Sequence, residues 1–305
     1  MVLLHPLDSG PLHTSRRLGV SVAGADSNFA IAMTRLGWPA IWLSAVSKDQ
    51  LGDFVVEMIG AAGVDVSRVR RDPDHPTGLL VKFRDEGHTR VLYYRAGSAA
   101  SHFDPDWLEP SLFETAAVLH LNGVTCALSP SCAATVVRAI ALADQHNVRI
   151  SLDLNLRLRL WDIDRARTTL IPLLPQVDIV FGTEEELLAL SGRTALEEAL
   201  TTIAAHGPAV VVAKRGPRGA VALAGGKRID HPGFVPPAVV DEVGAGDGFA
   251  AGFVSAYLRG ASVEDALRHG NLVGAAAVTV ADDVSGYPTQ AQLEAWLTAW
   301  PPRPR

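Results

Sequence analysis

Cysteine is nearly absent: the 305 residues hold two, Cys126 and Cys132. Two cysteines with no histidine cluster beside them make neither a zinc site nor a disulfide framework. The chain reads as a reduced, cytoplasmic protein. Positive charge is also scarce, with 27 Lys and Arg against 33 Asp and Glu and a formal net charge of -6. Without a long basic run, neither nucleic acid nor an anionic membrane is expected as a partner. No apolar run reaches the length of a bilayer span. The N-terminal M-V-L-L-H-P-L-D lacks a basic start and a long apolar core, so no secretory leader is expected there. Repeats are lacking, and low complexity is confined to the tail Pro301 to Arg305. What is there is Ala-, Val- and Leu-rich with modest charge. It can build a sizeable core in one large α/β domain or two ordinary ones.

From about residue 116 onward, short β-rich runs alternate with helical stretches. Strands are expected at Ala117–Leu121, Arg149–Leu154, Asp178–Phe181 and Ala209–Ala213. Helices are expected at Ser131–His146, Asp164–Leu174, Glu184–Ser191, Gly246–Arg259 and Val263–Val280. That alternation predicts a doubly wound, mostly parallel sheet covered on both faces, with ligands at the carboxyl ends of its strands. Residues 77–95 differ. T-G-L-L-V-K-F-R and T-R-V-L-Y-Y-R are two β-like runs joined by D-E-G-H, the chemistry of a hairpin.

The most informative stretch is D-E-V-G-A-G-D-G-F-A-A-G, Asp241 to Gly252. Gly244 and Gly246 allow backbone angles closed to other residues, and an apolar, helix-competent run follows. Unpaired N–H groups at a helix start suit a phosphate. A carboxylate beside that phosphate, Asp247, binds an anion poorly but can take a proton from an attacking hydroxyl. Taken alone, these residues serve equally as a plain turn with an Asp cap. The segment resembles the C-terminal signature of the ribokinase (PfkB-type) carbohydrate kinases. The resemblance implies an ATP- and magnesium-dependent kinase with a ribokinase-like fold and a small β lid, and it leaves room for a monovalent cation. It assigns the anion hole to Gly244, Ala245 and Gly246, and the catalytic base to Asp247. Glu242 departs from the small residue usual there.

Other segments carry the same resemblance. V-A-G-A-D-S-N-F, from Val22, is similar to the family's G-G-x-x-x-N motif, which implies substrate contacts at Gly24 and Asn28, with Asp26 a third. Ordinary helix capping would also account for Asp26 and Asn28. Ala23 stands in place of the usual first Gly. In Y-Y-R-A-G-S, strand alternation sets Tyr93 and Arg95 on one face. An Arg matches the two oxygens of a carboxylate in fork geometry. The run resembles that of the 2-keto-3-deoxygluconate kinases, a branch of the family acting on a sugar acid. Tyr93 and Arg95 carry over as contacts to that acid. S-L-D-L-N-L-R-L-R-L-W is similar to D-x-N-x-R-x-x-L-W of the same branch and assigns Arg157 to the acid end. In the matching H-L-N-G-V, Val124 becomes a backbone contact.

T-E-E-E at a helix start complements the helix dipole. It matches the family's N-x-x-E, linking Glu186 to magnesium through water, with Thr183 replacing the Asn. A-K-R-G-P-R-G resembles the segment beside the ATP phosphates, naming Gly216, Arg218 and Gly219 as nucleotide contacts. Asn271 matches a position near the adenine. Leu80 stands where the branch often has Tyr. Family members begin with a strand and a Gly-Glu pair before a segment like M-V-L-L-H-P, and here that strand is not seen.

The expectation is therefore a ribokinase-like α/β core of residues 1–71 and 99–305. A lid insert covers 72–98, with part of 1–20. The activity implied is phosphorylation of the 6-hydroxyl of 2-keto-3-deoxygluconate. The rivals are a fructose, ribose or nucleoside kinase of the same fold, or a weakened sugar or nucleotide sensor. A homo-oligomer, dimer or larger, is expected.

Overall fold

The computed structural model describes residues 1–8, 11–85 and 88–300. The chain divides into two compact units. One comprises Met1–His102, Pro236–Ala251 and Val273–Trp296; the other comprises Phe103–Val235, Gly252–Leu272 and the chain from Leu297.

In the first unit the chain runs β1 (Val2–Pro6), β2 (Leu18–Val22), α1 (Ala25–Arg35), β3 (Ala45–Ser47), α2 (Gln50–Ala61), β4 (Arg70–Asp72), β5 (Leu79–Asp85) and β6 (His88–Tyr94). Four of these strands form one sheet in the order β2-β1-β5-β6, and β3 pairs with β4 in parallel. The expected hairpin is present as β5 and β6, antiparallel from Leu79↔Tyr94 to Asp85↔His88. Its tip, Glu86–Gly87, lies outside the described residues, as does the tail Pro301 to Arg305. One face of the sheet packs Leu3, Leu80 and Ala23 into a small core. Leu80, which departs from the branch pattern, is thus an apolar packing residue.

The second unit continues with β7 (Val118–Asn122), α3 (Gly123–Leu128), α4 (Pro130–Gln145), β8 (Arg149–Asp153), α5 (Ile163–Leu170), β9 (Ile179–Thr183), α6 (Glu184–Ser191), α7 (Leu196–Ala204), β10 (Val210–Lys214), β11 (Ala220–Ala224) and β12 (Lys227–His231). These strands form a sheet in the order β12-β11-β10-β9-β8-β7. From β7 to β10 the pairings are parallel. β9 and β10 are mainly apolar and buried, as strands covered on both faces are, whereas β7 and β8 also carry His120, Asn122, Ser151 and Asp153. Gly225 and Gly226, at φ 54° and 73°, make the tight turn of the antiparallel β11–β12 edge. The last helices are α8 (Ala245–Leu258), α9 (Val263–Ala277) and α10 (Gln290–Ala299), and the division between units runs through them.

Two expected helices end early. The helix predicted to Leu174 stops at Leu170 and gives way to a 3-10 turn, Ile171–Gln176, containing Pro172 and Pro175. Proline lacks the N–H that the α-helical ladder needs. The helix predicted to Val280 ends at Ala277. The Val278 carbonyl is taken instead by the N–H groups of Val240 and Asp241.

Candidate functional site

In the first unit, α1 and α8 bring two side chains together. Gly24 precedes α1 and starts it without a side-chain cap. Asn28 lies inside that helix and is buried, so capping does not explain it. Its Nδ2 donates to Oδ2 of Asp247 at 2.8 Å. Its Oδ1 is buried and has no hydrogen-bond partner. Asp26 sits in the first turn of α1 and is half-buried.

Asp247 stands in the first turn of α8. The turn before it is shaped by Gly244, at φ 85°, where an added Cβ would lie 2.4 Å from the Asp283 carbonyl oxygen. A side chain is excluded there by conformation and by space. Gly246 does not share this role. It lies within α8, so the expectation that both glycines adopt unusual backbone angles is corrected to Gly244 alone. The Ala245 N–H reaches the Glu242 carbonyl at 3.3 Å.

Tyr287 was not foreseen from the sequence. Its ring is fully buried, and its hydroxyl donates to the Gly244 carbonyl at 2.8 Å. Burial, reinforced by the charge of Asp247, pushes the phenol well above its usual range, so it stays a donor. An added Cβ on Gly248 would fall 2.5 Å from the same ring, which gives that glycine its reason.

Arg95 follows β6, and its guanidinium lies over the Tyr93 ring, 4.4 Å from the centroid. The expected shared face is therefore observed, as a cation–π pair.

In the second unit, the polar residues gather at the carboxyl ends of parallel strands. Asn122 of β7 is in register with Asp153 of β8, and Thr183 of β9 with Lys214 of β10. Lys214 Nζ pairs with Asp153 Oδ2 at 2.5 Å. Asp153 is almost wholly buried, and its Oδ1 has no partner. Burial pushes its carboxyl above the usual range, against the pull of Lys214. His120 bonds Ser151 Oγ through Nδ1 at 2.8 Å. Burial, helped by Lys214, lowers it to about 3, so it is neutral at ordinary pH.

The loop after β8 is strained. Asn155 and Arg157 both have positive φ, 34° and 40°. For non-glycine residues this costs of order 1–3 kcal/mol each and persists only where the surroundings over-determine it. Three contacts do so. Asn155 Nδ2 donates to Asn122 Oδ1, Trp161 Nε1 to the Leu156 carbonyl, and the Leu156 N–H to Glu186 Oε1. The exposed Arg157 is presented by this loop. Val124 is buried in the first turn of α3.

Glu186 also closes a capping box with Thr183, accepting its N–H through Oε2 at 2.9 Å. Capping thus explains both residues. Each carboxylate oxygen keeps a second acceptor site. Among the described residues no group of three or more His, Cys, Asp or Glu is gathered as a metal cage. Both Glu186 carboxylate oxygens accept backbone N–H groups and keep lone pairs compatible with a hydrated cation. Glu184, beside it, accepts from Arg215 and Arg218 at 3.2 and 2.8 Å. Gly216 is open to its surroundings, whereas Gly219, at φ 88°, would set a Cβ 2.2 Å from the His231 carbonyl oxygen. Asn271 donates its amide to the carbonyls of His231 and Pro232, which accounts for a polar residue inside α9.

A glycine turn leading to an aspartate in a helix start suits phosphoryl transfer to a small molecule, and comparison with known proteins gives the class. The sequence profile of the pfkB family carbohydrate kinases matches residues 3–290. The chain belongs to the pfkB family of carbohydrate kinases. It is 36% identical over 303 residues to the 2-dehydro-3-deoxygluconokinase of Bacillus subtilis (strain 168), covering 98% of this chain and 93% of that one. It is 33% identical over 292 residues to the 2-dehydro-3-deoxygalactonokinase of Haloferax volcanii, covering 93% and 90%. Among solved structures, a protein assigned as Ribokinase II from E. coli, in complex with ATP and Mg2+, superposes with a TM-score of 0.89 at 25% identity, covering 98% and 96%. The fold is ribokinase-like, and the enzyme is a phosphotransferase acting on a sugar hydroxyl. No helix among the described residues is long and apolar enough to cross a membrane.

Proposed function

We propose that this chain transfers the γ-phosphoryl group of ATP to the 6-hydroxyl of 2-keto-3-deoxygluconate, the sugar acid in the B. subtilis relative's name. The observation that carries the reading is the Asn28–Asp247 pair at the start of α8, beside the turn that Gly244 shapes. The acceptor oxygen attacks the γ-phosphorus as the bond to the β–γ bridging oxygen breaks, and ADP leaves. Asp247 takes the hydroxyl proton. The partnerless Oδ1 of Asn28 suits a substrate hydroxyl as donor, with Gly24 and Asp26 as further contacts. Gly244, Ala245 and Gly246 face the charge that grows on the phosphoryl oxygens.

Tyr93, Arg95, Val124 and Arg157 are the residues we assign to the sugar acid, the two arginines to its carboxylate. Gly216, Arg218, Gly219 and Asn271 are the nucleotide candidates. Glu186 is the residue that would hold magnesium, through water, and the ion would supply neutralisation of phosphate charge. The sheet of β1, β2, β5 and β6 is separate from the six-stranded one, which supports a lid of residues 72–98 with part of 1–20 on a core of 1–71 and 99–305.

The test is ADP release by purified protein with Mg-ATP and 2-keto-3-deoxygluconate, its galactonate epimer, gluconate, fructose or ribose. Turnover of a keto acid alone is the expected result. Arg95→Ala and Arg157→Ala should each raise KM for the keto acid about 10-fold or more, the loss of a charge-assisted contact. An equal effect on neutral sugars sinks the sugar-acid reading in favour of a fructose, ribose or nucleoside kinase. Thermal stabilisation by ligand with no ATP consumption favours a sensor. Running the assay in potassium and in tetramethylammonium salts decides whether a monovalent cation takes part.

A homo-oligomer is also proposed. Val20, Leu4, Val81 and Leu92 are in register across the four strands, so they share one face. Val20 and Leu92 at its ends are 51% and 42% exposed. A second copy covering this row would remove it from water. Light scattering should then give a dimer or larger for the parent and a monomer for Leu92→Glu; a monomeric parent removes the proposal. The cytoplasmic setting rests on the scarcity of cysteine, two in 305 residues. Recovery of the protein from a secreted fraction would contradict it.

A further inference from the structure

Three charges lie buried in the first unit that phosphoryl transfer does not itself require. Lys82, on β5, is 4% exposed. Its Nζ lies 2.6 Å from Asp241 Oδ2 and 2.7 Å from Asp283 Oδ1. Burial works against its charge, but the two carboxylates outweigh burial and hold the ammonium above the usual lysine range. Asp241 is further fixed through Oδ1 by the Val243 N–H at 3.2 Å and the Thr89 hydroxyl at 3.3 Å.

Both carboxylates stand at the foot of the reacting turn. Asp241 opens the segment that leads to Gly244. The Asp283 carbonyl is the atom against which Gly244 packs. The Asn28 side chain lies beside the Asp283 carboxylate, and its amide holds Asp247 at 2.8 Å. Lys82 is thus paired with Asp283, Asn28 lies beside that carboxylate, and Asn28 in turn holds Asp247. A buried charge network adds little net stability over apolar packing of the same volume. Its contribution here is geometric.

We propose that Lys82 is a positioning residue for the reaction: its ammonium fixes Asp241 and Asp283 under the Gly244 turn and, through the Asn28 amide, aims the Asp247 carboxylate at the acceptor hydroxyl. The inference rests on the kinase reading above, in which Asp247 is the base. Lys82 touches neither substrate nor phosphate in this scheme. Its loss should lower kcat and leave both KM values almost unmoved, because binding groups stay in place while the base loses its aim.

The test uses Lys82→Met, which keeps the length without the charge, and Lys82→Ala, which leaves room for a small cation between the two carboxylates. Misplacement of a reacting group predicts a kcat loss of roughly 10- to 100-fold in both. KM for the keto acid and for ATP should stay within about threefold, since uniform binding is untouched. In Lys82→Ala, potassium or methylammonium chloride should restore part of kcat and raise the thermal midpoint, while tetramethylammonium chloride, too large for the space, should do neither. Full activity of Lys82→Met, or a rise in KM without loss of kcat, overturns the proposal. If Lys82→Met does not fold, Lys82→Gln, which keeps N–H donors without charge, carries the same test. If every neutral variant fails to fold, the residue is structural and the proposal falls. An inactive wild type ends both this inference and the kinase reading. An active wild type with equally active variants ends this inference alone.

Discussion

Asp247→Asn should lower kcat by roughly 10²- to 10⁴-fold, the span that removal of a general base commonly costs. The substitution keeps the shape and leaves an amide oxygen to accept from Asn28 Nδ2, now 2.8 Å from the carboxylate. The fold and the KM for the keto acid should therefore change little. What disappears is the acceptor for the hydroxyl proton in the transition state, and an interaction made only there appears in kcat. Steady-state ADP release, with circular dichroism as a control for folding, checks this. A loss smaller than about tenfold would mean that the proton leaves by another route and that Asp247 only caps α8.

The second large effect is on stability. Lys214→Met should destabilise the protein by about 3–5 kcal/mol, because it leaves an uncompensated buried carboxylate at Asp153. Asp153 is 2% exposed and already carries one partnerless oxygen. Lys214 is its ion-pair partner. Methionine fills much of the lysine stem's volume, so the loss is electrostatic and not a cavity. Adding Asp153→Asn should recover most of it by removing the stranded charge. Urea unfolding of the two single variants and the double variant measures the coupling. A double variant no more stable than Lys214→Met would place the cost in packing.

The second unit was largely legible in the sequence. Its parallel strands are short β-rich runs rich in Val, Ile and Leu, and helices such as α4 and α6 open on residues with plain capping chemistry, Ser129 and Thr183. The β11–β12 hairpin has its own local signal, the Gly225–Gly226 pair. The motif around Asp247 was legible because glycine, small residue and acid follow one another within a single turn. Other features were hidden because they depend on distant partners. Lys82 reads as a solvent-facing strand charge until Asp283, 201 positions away, comes beside it. Tyr287 carries no local sign that its hydroxyl will hold Gly244. The second bond of Glu186, to Leu156, is likewise made across 30 positions, and with it comes the positive φ of Asn155 and Arg157. Periodicity reports which face of an element is apolar. It does not report which buried charges find one another.

The spread of the Lys82 network along the chain has a consequence for biosynthesis. A ribosome delivers residues in order. Every strand of the six-stranded sheet has been synthesised once His231 is added. The base and its supports must wait longer: Asn28 needs Asp247, 219 positions on, and the Gly244 turn needs Asp283 and Tyr287. Long-range contacts of this kind form late. A nascent chain can thus carry a finished sheet while Lys82 is still a hydrated charge. The order of synthesis places the contacts of the Asp247 turn among the last that the chain can make.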